Sequence, residues 1–205
     1  MQDQLIHVLS IKGFAKEEIL AATVGLKVLD VELMAQGLIK EGLLESSRIG
    51  MKLTEKGKAA AAKILEDARE KVDLVALETF YLAFMPINQA YKKSVSSWQI
   101  KTVGESAEPN DHGDAEYDQQ VLSEMFKDHG SLKLLVATHL ASCPLLKDYA
   151  RRLEKAYASV SAGDYQFVTG ALIDSYHTVW FEFHEALIRL SGKDRATEAA
   201  AGRAD

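Results

Sequence analysis

Residues 25–44 read GLKVLDVELMAQGLIKEGLL and decide how the first part of the chain folds. Apolar residues recur in this stretch at the spacing of one helical face, and a glycine stands on each side of them. A glycine directly after such a pattern is a common helix stop. The stretch therefore predicts a helix over 28–40, whose buried face consists of Val31, Met34, Ala35 and Leu38.

The flanking sequence predicts further short elements on both sides of this helix. Residues 2–11 carry a helical pattern, and residues 15–25 have an acidic first turn that suits a second helix. The alternating stretch 43–53 suits two short strands around a turn. Thr54 is a typical N-cap for the alanine-rich helix that follows. The predicted order over residues 1–70 is α-α-α-β-β-α.

Several positions recur along this part of the chain in a fixed order and spacing: Gly25-Leu26, Val31, Leu38, Gly42-Leu43 and Leu53-Thr54-Glu55-Lys56-Gly57. Together with the element order, they resemble the winged helix-turn-helix domain of transcriptional regulators of the MarR type. The resemblance covers about the first 70 residues. It implies that the helix over 28–40 enters the major groove of DNA and that the hairpin forms a wing beside it.

The exposed face of this predicted helix lacks most of the side chains that read bases. A DNA-reading helix presents Arg, Lys, Asn or Gln to base edges. Here the face contains the carboxylates of Asp30 and Glu32 beside the apolar Val28, Leu29 and Leu33. A carboxylate can accept a hydrogen bond from cytosine, but phosphates repel it. The side chains that remain for DNA are Lys27, Gln36 and Lys40.

The predicted wing offers more positive charge. Arg48 lies at the hairpin tip, from which a side chain can enter a minor groove, and several lysines follow it. The alternative is an ordinary solvated lysine surface. We expect weak DNA binding through backbone contacts, which a homodimer would strengthen. The predicted DNA-binding residues are Lys27, Gln36, Lys40, Arg48, Lys52 and Lys56.

The charge of the chain also argues for a local DNA contact. Formal net charge is −6; residues 1–72 contain 11 Lys+Arg and 11 Asp+Glu, and residues 73–205 contain 13 and 19. The chain as a whole therefore repels phosphate. The first ten residues lack the basic start and apolar run of a secretion signal, and no stretch has the ~18 apolar residues of a membrane span. We expect a cytoplasmic protein with no membrane partner.

The apolar residues Leu29 and Leu33 leave a second interpretation open. An apolar patch on this helix would suit a protein partner better than DNA. Residues 1–70 would then form a winged-helix interaction module that does not read DNA. In that case a small-molecule or metal site would lie in the helical part of the chain.

Residues 71–192 predict an all-α bundle of four or five helices that binds an effector or forms a dimer. We expect a kink or break at Pro86, a mobile polar loop over 101–114, one last helix over 164–192 and a flexible tail over 193–205. The stretches DSYHTVWFEFHEAL and NDHGDAEYD resemble parts of uncharacterised actinobacterial proteins in which a winged helix precedes such a helical domain. This resemblance implies no activity.

Aromatic residues are concentrated in the first and last helices of the predicted bundle. Such a stripe forms either plain core or a pocket for an apolar or aromatic small-molecule effector, with a few polar groups to orient it. A ligand between these helices could change the spacing of two DNA-binding wings in a dimer. The residues predicted to bind it are Phe84, Asn88, Tyr91, Trp98, His177, Trp180, Phe181 and His184.

The histidines of the last predicted helix raise the question of a metal. Asp174, His177, Phe181 and His184 are expected on one helical face. Two histidines seven residues apart are separated by roughly 10.5 Å along a helix axis, which is too far for one ion. Asp174 and His177 could share a metal, although a buried hydrogen bond for each histidine is the commoner role. The residues that could complete a site are His112, His129 and His139.

No catalytic motif stands out in the sequence. A glycine-rich phosphate loop, a nucleophile elbow and a metal-hydrolase motif are all missing. The acidic stretch 110–118 has the composition of a solvated loop rather than of an acid/base site. Cys143 is the only cysteine, and its apolar surroundings predict a buried, inert thiol. We therefore predict neither an enzyme nor a bound cofactor.

Overall fold

The computed structural model describes residues 1–104, 106–139 and 144–202. Within these residues the chain forms ten helices and two small antiparallel sheets, so the predicted mainly α fold is confirmed. None of the described helices has the length and apolarity needed to cross a membrane. Cys143, for which the sequence predicts a buried thiol, lies outside the described residues.

Residues 1–70, all of them described, form four helices and a three-stranded sheet. In the sheet, β3 lies between β1 and β2 and runs antiparallel to both. The sequence did not predict β1, because a strand of two residues has no alternation to recognise. The elements are α1 (Gln2–Lys12), β1 (Phe14–Ala15), α2 (Glu17–Val24), α3 (Val28–Lys40), β2 (Leu44–Ser47), β3 (Gly50–Leu53) and α4 (Glu55–Glu70).

Two glycines hold this sheet and its neighbours close together. Gly50 opens β3 with a φ of 130°, and a Cβ there would lie 2.5 Å from the carbonyl oxygen of Ala15. A Cβ on Gly57 would lie 2.0 Å from the carbonyl oxygen of Leu43. The amide of Gly57 also donates to the hydroxyl of Thr54 at 3.0 Å, which makes Thr54 the N-cap of α4. The cap at Thr54 and the close approach of Gly57 to Leu43 together hold the start of α4 against the base of the hairpin.

The buried face of α3 agrees with the sequence pattern. Val31, Ala35 and Leu38 are buried and Met34 is half-buried, so this prediction is confirmed. They pack in one hydrophobic cluster with residues of α1, α2 and the sheet. Burying one stripe of α3 leaves its other side open to solvent.

The rest of the described chain is helical, with one more hairpin. Pro86 lies inside α5 and does not end it. Residues 100–103 and 106–109, nearly all of them expected in the mobile loop over 101–114, form two paired strands. The side chain of Asn110 donates to the carbonyl oxygen of Trp98 at 3.1 Å and holds this hairpin against the end of α5. The elements are α5 (Leu74–Gln99), β4 (Ile100–Val103), β5 (Ser106–Pro109), α6 (Ala115–His139), α7 (Pro144–Ser161), α8 (Gln166–Thr169), α9 (Tyr176–Leu190) and α10 (Arg195–Ala200).

The single last helix predicted over 164–192 is wrong. Gly170 adopts an extended conformation after α8, and the hydroxyl of Ser175 accepts from the amide of Thr178 to cap α9. Asp174 therefore precedes α9 and does not share a helical face with His177. Glycine and serine favour helix ends over helix interiors, and here they outweigh the apolar periodicity.

The end of the chain is more ordered than its composition indicates. Asp194 caps α10 by accepting from the amide of Thr197 at 2.8 Å. Glu198 is buried and hydrogen-bonds the hydroxyl of Tyr81 on α5. Arg195 also pairs with Glu185 on α9 at 2.8 Å, so tertiary contacts hold a segment that the sequence predicted to be flexible. Residues 203–205 lie outside the described part.

Candidate functional site

Helix α3 presents its non-core side to solvent. Leu29 and Leu33 are exposed, and the carboxylates of Asp30 and Glu32 are exposed beside them. This surface therefore mixes acidic and apolar groups, as the sequence indicates. The residues of α3 that were predicted to contact DNA are exposed too: Lys27, Gln36 and Lys40.

In the predicted wing and the helix after it, Arg48 has no ion pair or hydrogen bond to the described residues, whereas the lysines each have a partner. Arg48 lies exposed in the turn between β2 and β3, and its guanidinium makes no ion pair or hydrogen bond with the described residues. Lys52 pairs with Glu45 across the hairpin at 2.9 Å, and Lys56 donates to the carbonyl oxygen of Glu41 at 2.7 Å. Exposed contacts of this kind are weak, so a phosphate can replace the carboxylate of Glu45 beside Lys52 or the carbonyl oxygen of Glu41 beside Lys56. Further pairs join Lys58 to Glu55, and Lys63 to Glu66 and Asp67.

Five of the eight residues predicted to bind a ligand form the core between α5 and α9. The rings of Tyr91 and Trp180 stack with centroids 4.0 Å apart, and Phe84 packs against Trp180 at 5.6 Å and His184 at 5.3 Å. The indole N–H of Trp180 donates to Asn88 Oδ1 at 2.9 Å. All five are buried and contact each other directly, and this burial raises the pKa of Tyr91 well above its ordinary value.

The other three predicted ligand residues lie elsewhere. Trp98, near the end of α5, packs against His112 with ring centroids 4.4 Å apart. His177 and Phe181, also on α9, line an open cleft together with residues of β1 and the hairpin tip. The predicted set is therefore divided among three places rather than gathered around one pocket.

A cluster of four charged residues, two of them buried and two half-buried, joins α1 to α7 and α9. Arg152 donates to both carboxylate oxygens of Asp174, at 2.7 and 2.8 Å, and to Glu182 Oε2 at 2.7 Å. The ammonium of Lys12 contacts Glu182 Oε1 at 2.5 Å and Asp174 Oδ1 at 3.2 Å. Thr23 on α2 adds a hydrogen bond of 3.3 Å to Asp174. Two cations and two anions thus balance within one site.

Pairing allows these charges to remain buried. An unpaired buried ion costs several kcal/mol in lost hydration, whereas a complete set of ion pairs and hydrogen bonds offsets that cost. Burial by itself would raise the pKa of Asp174, but the hydrogen bonds and charges of Arg152 and Lys12 outweigh it and hold that pKa below its ordinary value. No local sequence pattern predicts this cluster, because its members are separated by up to 170 residues.

Further contacts fix the same junction, which lies between residues 1–70 and the helices that follow them. Arg189 on α9 donates to the carbonyl oxygen of Ser10 at 3.1 Å, and Arg151 on α7 donates to the carbonyl oxygen of Thr23 at 3.1 Å. The buried ring of His7 lies 3.2 Å from the hydroxyl of Tyr149. Residues 1–70 are therefore held against the helical part by polar contacts from α1 and α2.

An open cleft of about 580 Å³ lies at this junction. One wall comes from the end of α1, β1, the start of α2 and the hairpin tip, and the other from residues 169–173 and α9. Its polar lining includes Lys12 and Glu182 of the charge cluster together with Lys16 and His177. The apolar residues lining it are Ile11, Phe14, Ala15, Ile19, Ile49, Ala171, Leu172, Ile173 and Phe181.

The histidines do not assemble around a common point. His129 lies 2.8 Å from the hydroxyl of Tyr176, and His112 Nδ1 lies 2.9 Å from Asp118 Oδ2. Both carboxylate oxygens of Asp174 are engaged by cations. Among the described residues, no group of three or more His, Cys, Asp or Glu has the arrangement of a metal site.

Comparisons with known proteins give no family for this chain. No protein-family model matches it, and no curated protein or solved structure matches it either.

Proposed function

We propose that this protein is a DNA-binding transcriptional regulator. Residues 1–70 form a winged helix-turn-helix domain, and residues 71–192 form a helical domain for ligand sensing or dimerisation. The element order α1-β1-α2-α3-β2-β3-α4 supports the first assignment, as does the central position of β3 between β1 and β2. The close packing of Gly57 against Leu43 supports it further, because it fixes the wing against α4.

The observation that carries the proposal is the joint exposure of α3 and Arg48. A recognition helix must have one side free of the core, and a wing must project a cation beyond the sheet. Both conditions are met on one polypeptide segment, with Arg48 making no ion pair or hydrogen bond to any described residue.

Binding rests mainly on the phosphate backbone. Arg48 enters the minor groove, and Gln36 is the one neutral amide on α3 that can read a base edge. The acidic face of α3 weakens each protomer's grip, so a homodimer supplies affinity through two such modules. The residues that contact phosphates are Lys27, Lys40, Lys52 and Lys56.

A salt titration of DNA binding tests the proposal. Fluorescence anisotropy with a labelled 30-base-pair duplex would be measured for the whole protein at two or more salt concentrations. We expect the double variant Arg48→Ala/Lys52→Ala to bind about tenfold more weakly and to lower the salt slope by about two, because each of the two cations displaces about one counterion from the DNA, whether it lies in a groove or on a phosphate. Lys147→Ala, an exposed lysine on α7, is the matched control and should leave both quantities unchanged. Equal binding by the double variant and the control would refute the assignment of the wing.

A second candidate function is a protein-interaction module. The exposed apolar side chains of α3 favour it, because Leu29 and Leu33 lie in the open beside two carboxylates. A partner would cover these leucines and pair with the acids. If the protein fails to bind DNA at low salt and a partner is captured from cell extract by the native chain but not by Leu33→Asp, this second function is the correct one.

A further inference from the structure

Apolar side chains from several separate elements converge on the cleft at the junction. Phe14 of β1 and Ile49 of the hairpin tip are both more than half exposed, and Leu172 is 87% exposed. Phe181 of α9 faces them from the other wall. Single exposed apolar residues are common on protein surfaces, but a set that shares one concavity is typical of a binding site.

The charges around the cleft favour an anionic ligand. Lys12 and Glu182 lie at its floor, where they neutralise each other within the buried cluster. Lys16 is exposed at the rim, and its ammonium forms no ion pair with the described residues. The lining therefore combines an apolar interior with one uncompensated positive charge.

We propose that this cleft binds a small aliphatic carboxylate. The carboxylate pairs with Lys16 at the rim, and the alkyl chain lies against Leu172, Ile49 and Phe14. The volume of about 580 Å³ is in the range of small-molecule sites and holds a medium-length chain. A neutral or cationic molecule of the same length fills the apolar part but lacks the ion pair.

The site also connects ligand binding to the proposed DNA contact. Ile49 directly follows Arg48 in the turn between β2 and β3. An alkyl chain of the ligand that packs on Ile49 restrains the turn that carries Arg48, and so changes the affinity of the protein for DNA. This coupling rests on the proposed function, whereas binding in the cleft does not.

Calorimetric titration of the whole protein with octanoate, octanol and octyltrimethylammonium tests the site without DNA. We expect octanoate to bind about tenfold or more tightly than the cation of equal length, because only octanoate can pair with Lys16. Lys16→Gln should remove this preference while octanol binding is kept. Leu172→Asp should weaken octanoate about tenfold, since it places a charge in the apolar wall. Leu134→Asp, at a 71% exposed position of α6, is the matched control and should bind octanoate normally.

Three results would overturn the site. The first is that octanoate gives no heat of binding up to millimolar concentration. The second is that octanoate binds, but neither Lys16→Gln nor Leu172→Asp changes its affinity. The third is that octanoate does not bind and Leu172→Asp abolishes self-association of the protein. The last result would make the cleft a contact between two copies of the chain. Because DNA binding is assayed separately without octanoate, failure of the site and failure of the proposed function are distinguishable.

Discussion

Replacing Arg152 by methionine should destabilise this protein strongly. The guanidinium is 2% exposed and donates three hydrogen bonds of 2.7 to 2.8 Å to Asp174 and Glu182. In Arg152→Met, the single charge of Lys12 faces the carboxylates of Glu182, which is buried, and Asp174, which is half-buried, so one negative charge at the site is uncompensated. Breaking a buried pair in this way costs about 3–5 kcal/mol. In a chain of 205 residues, this loss should lower Tm by roughly 6–20 °C.

Urea denaturation followed by circular dichroism measures this loss, and the adjacent arginine gives the control. Arg151 is half exposed, pairs with Asp148 at 2.7 Å and donates to the carbonyl oxygen of Thr23 at 3.1 Å, so Arg151→Met should cost only about 1–2 kcal/mol. The double variant Arg152→Met/Glu182→Met removes one charge of each sign and should be more stable than Arg152→Met alone. Equal midpoints for Arg152→Met and Arg151→Met would show that the buried cluster does not hold the junction together.

Three further predictions concern other parts of the chain. Burial, with a further contribution from Arg189, lowers the pKa of His7 from 6.5 to about 4. His7 is therefore protonated more readily in the unfolded chain than in the folded protein. The free energy of unfolding should be highest above pH 6.5 and should fall by about 3 kcal/mol as the pH is lowered towards 4. In a plot of denaturation midpoint against pH, His7→Gln should remove most of this dependence. Gly57→Ala should cost about 3 kcal/mol or more in the same assay, because its methyl group overlaps the backbone of the hairpin; a stable Gly57→Ala protein would contradict this packing. Asp30→Ala/Glu32→Ala should bind the anisotropy duplex as well as the native protein or better, and a sharp loss would show that these carboxylates read bases.

Some features of the fold could be read from the sequence because their causes are local. The buried stripe of α3 follows from apolar residues at helical spacing. Thr54 caps α4 because its hydroxyl reaches an amide only three residues away. The mainly helical character of the chain and the hairpin before α4 follow from the same kind of short-range pattern.

Other features depend on partners that are distant along the chain. Strand β1 exists because β3 supplies its hydrogen bonds. The helix over 195–200 is anchored by a contact between Glu198 and Tyr81, 117 residues apart. Apolar periodicity continued through residues 170–175, but the glycine and the capping serine there ended one helix and began another.

Local sequence patterns already indicate which side chains are available for function: an arginine in a hairpin turn, a mixed acidic and apolar helix face, and an aromatic stripe. Tertiary packing makes most of the stripe core, because the indole N–H of Trp180 donates to Asn88 and its ring stacks on Tyr91. It also placed Lys12 beside Glu182 and opened a cleft next to them. The physical reason is that helical periodicity specifies which side of an element is buried, whereas a charge cluster or cleft depends on which elements meet.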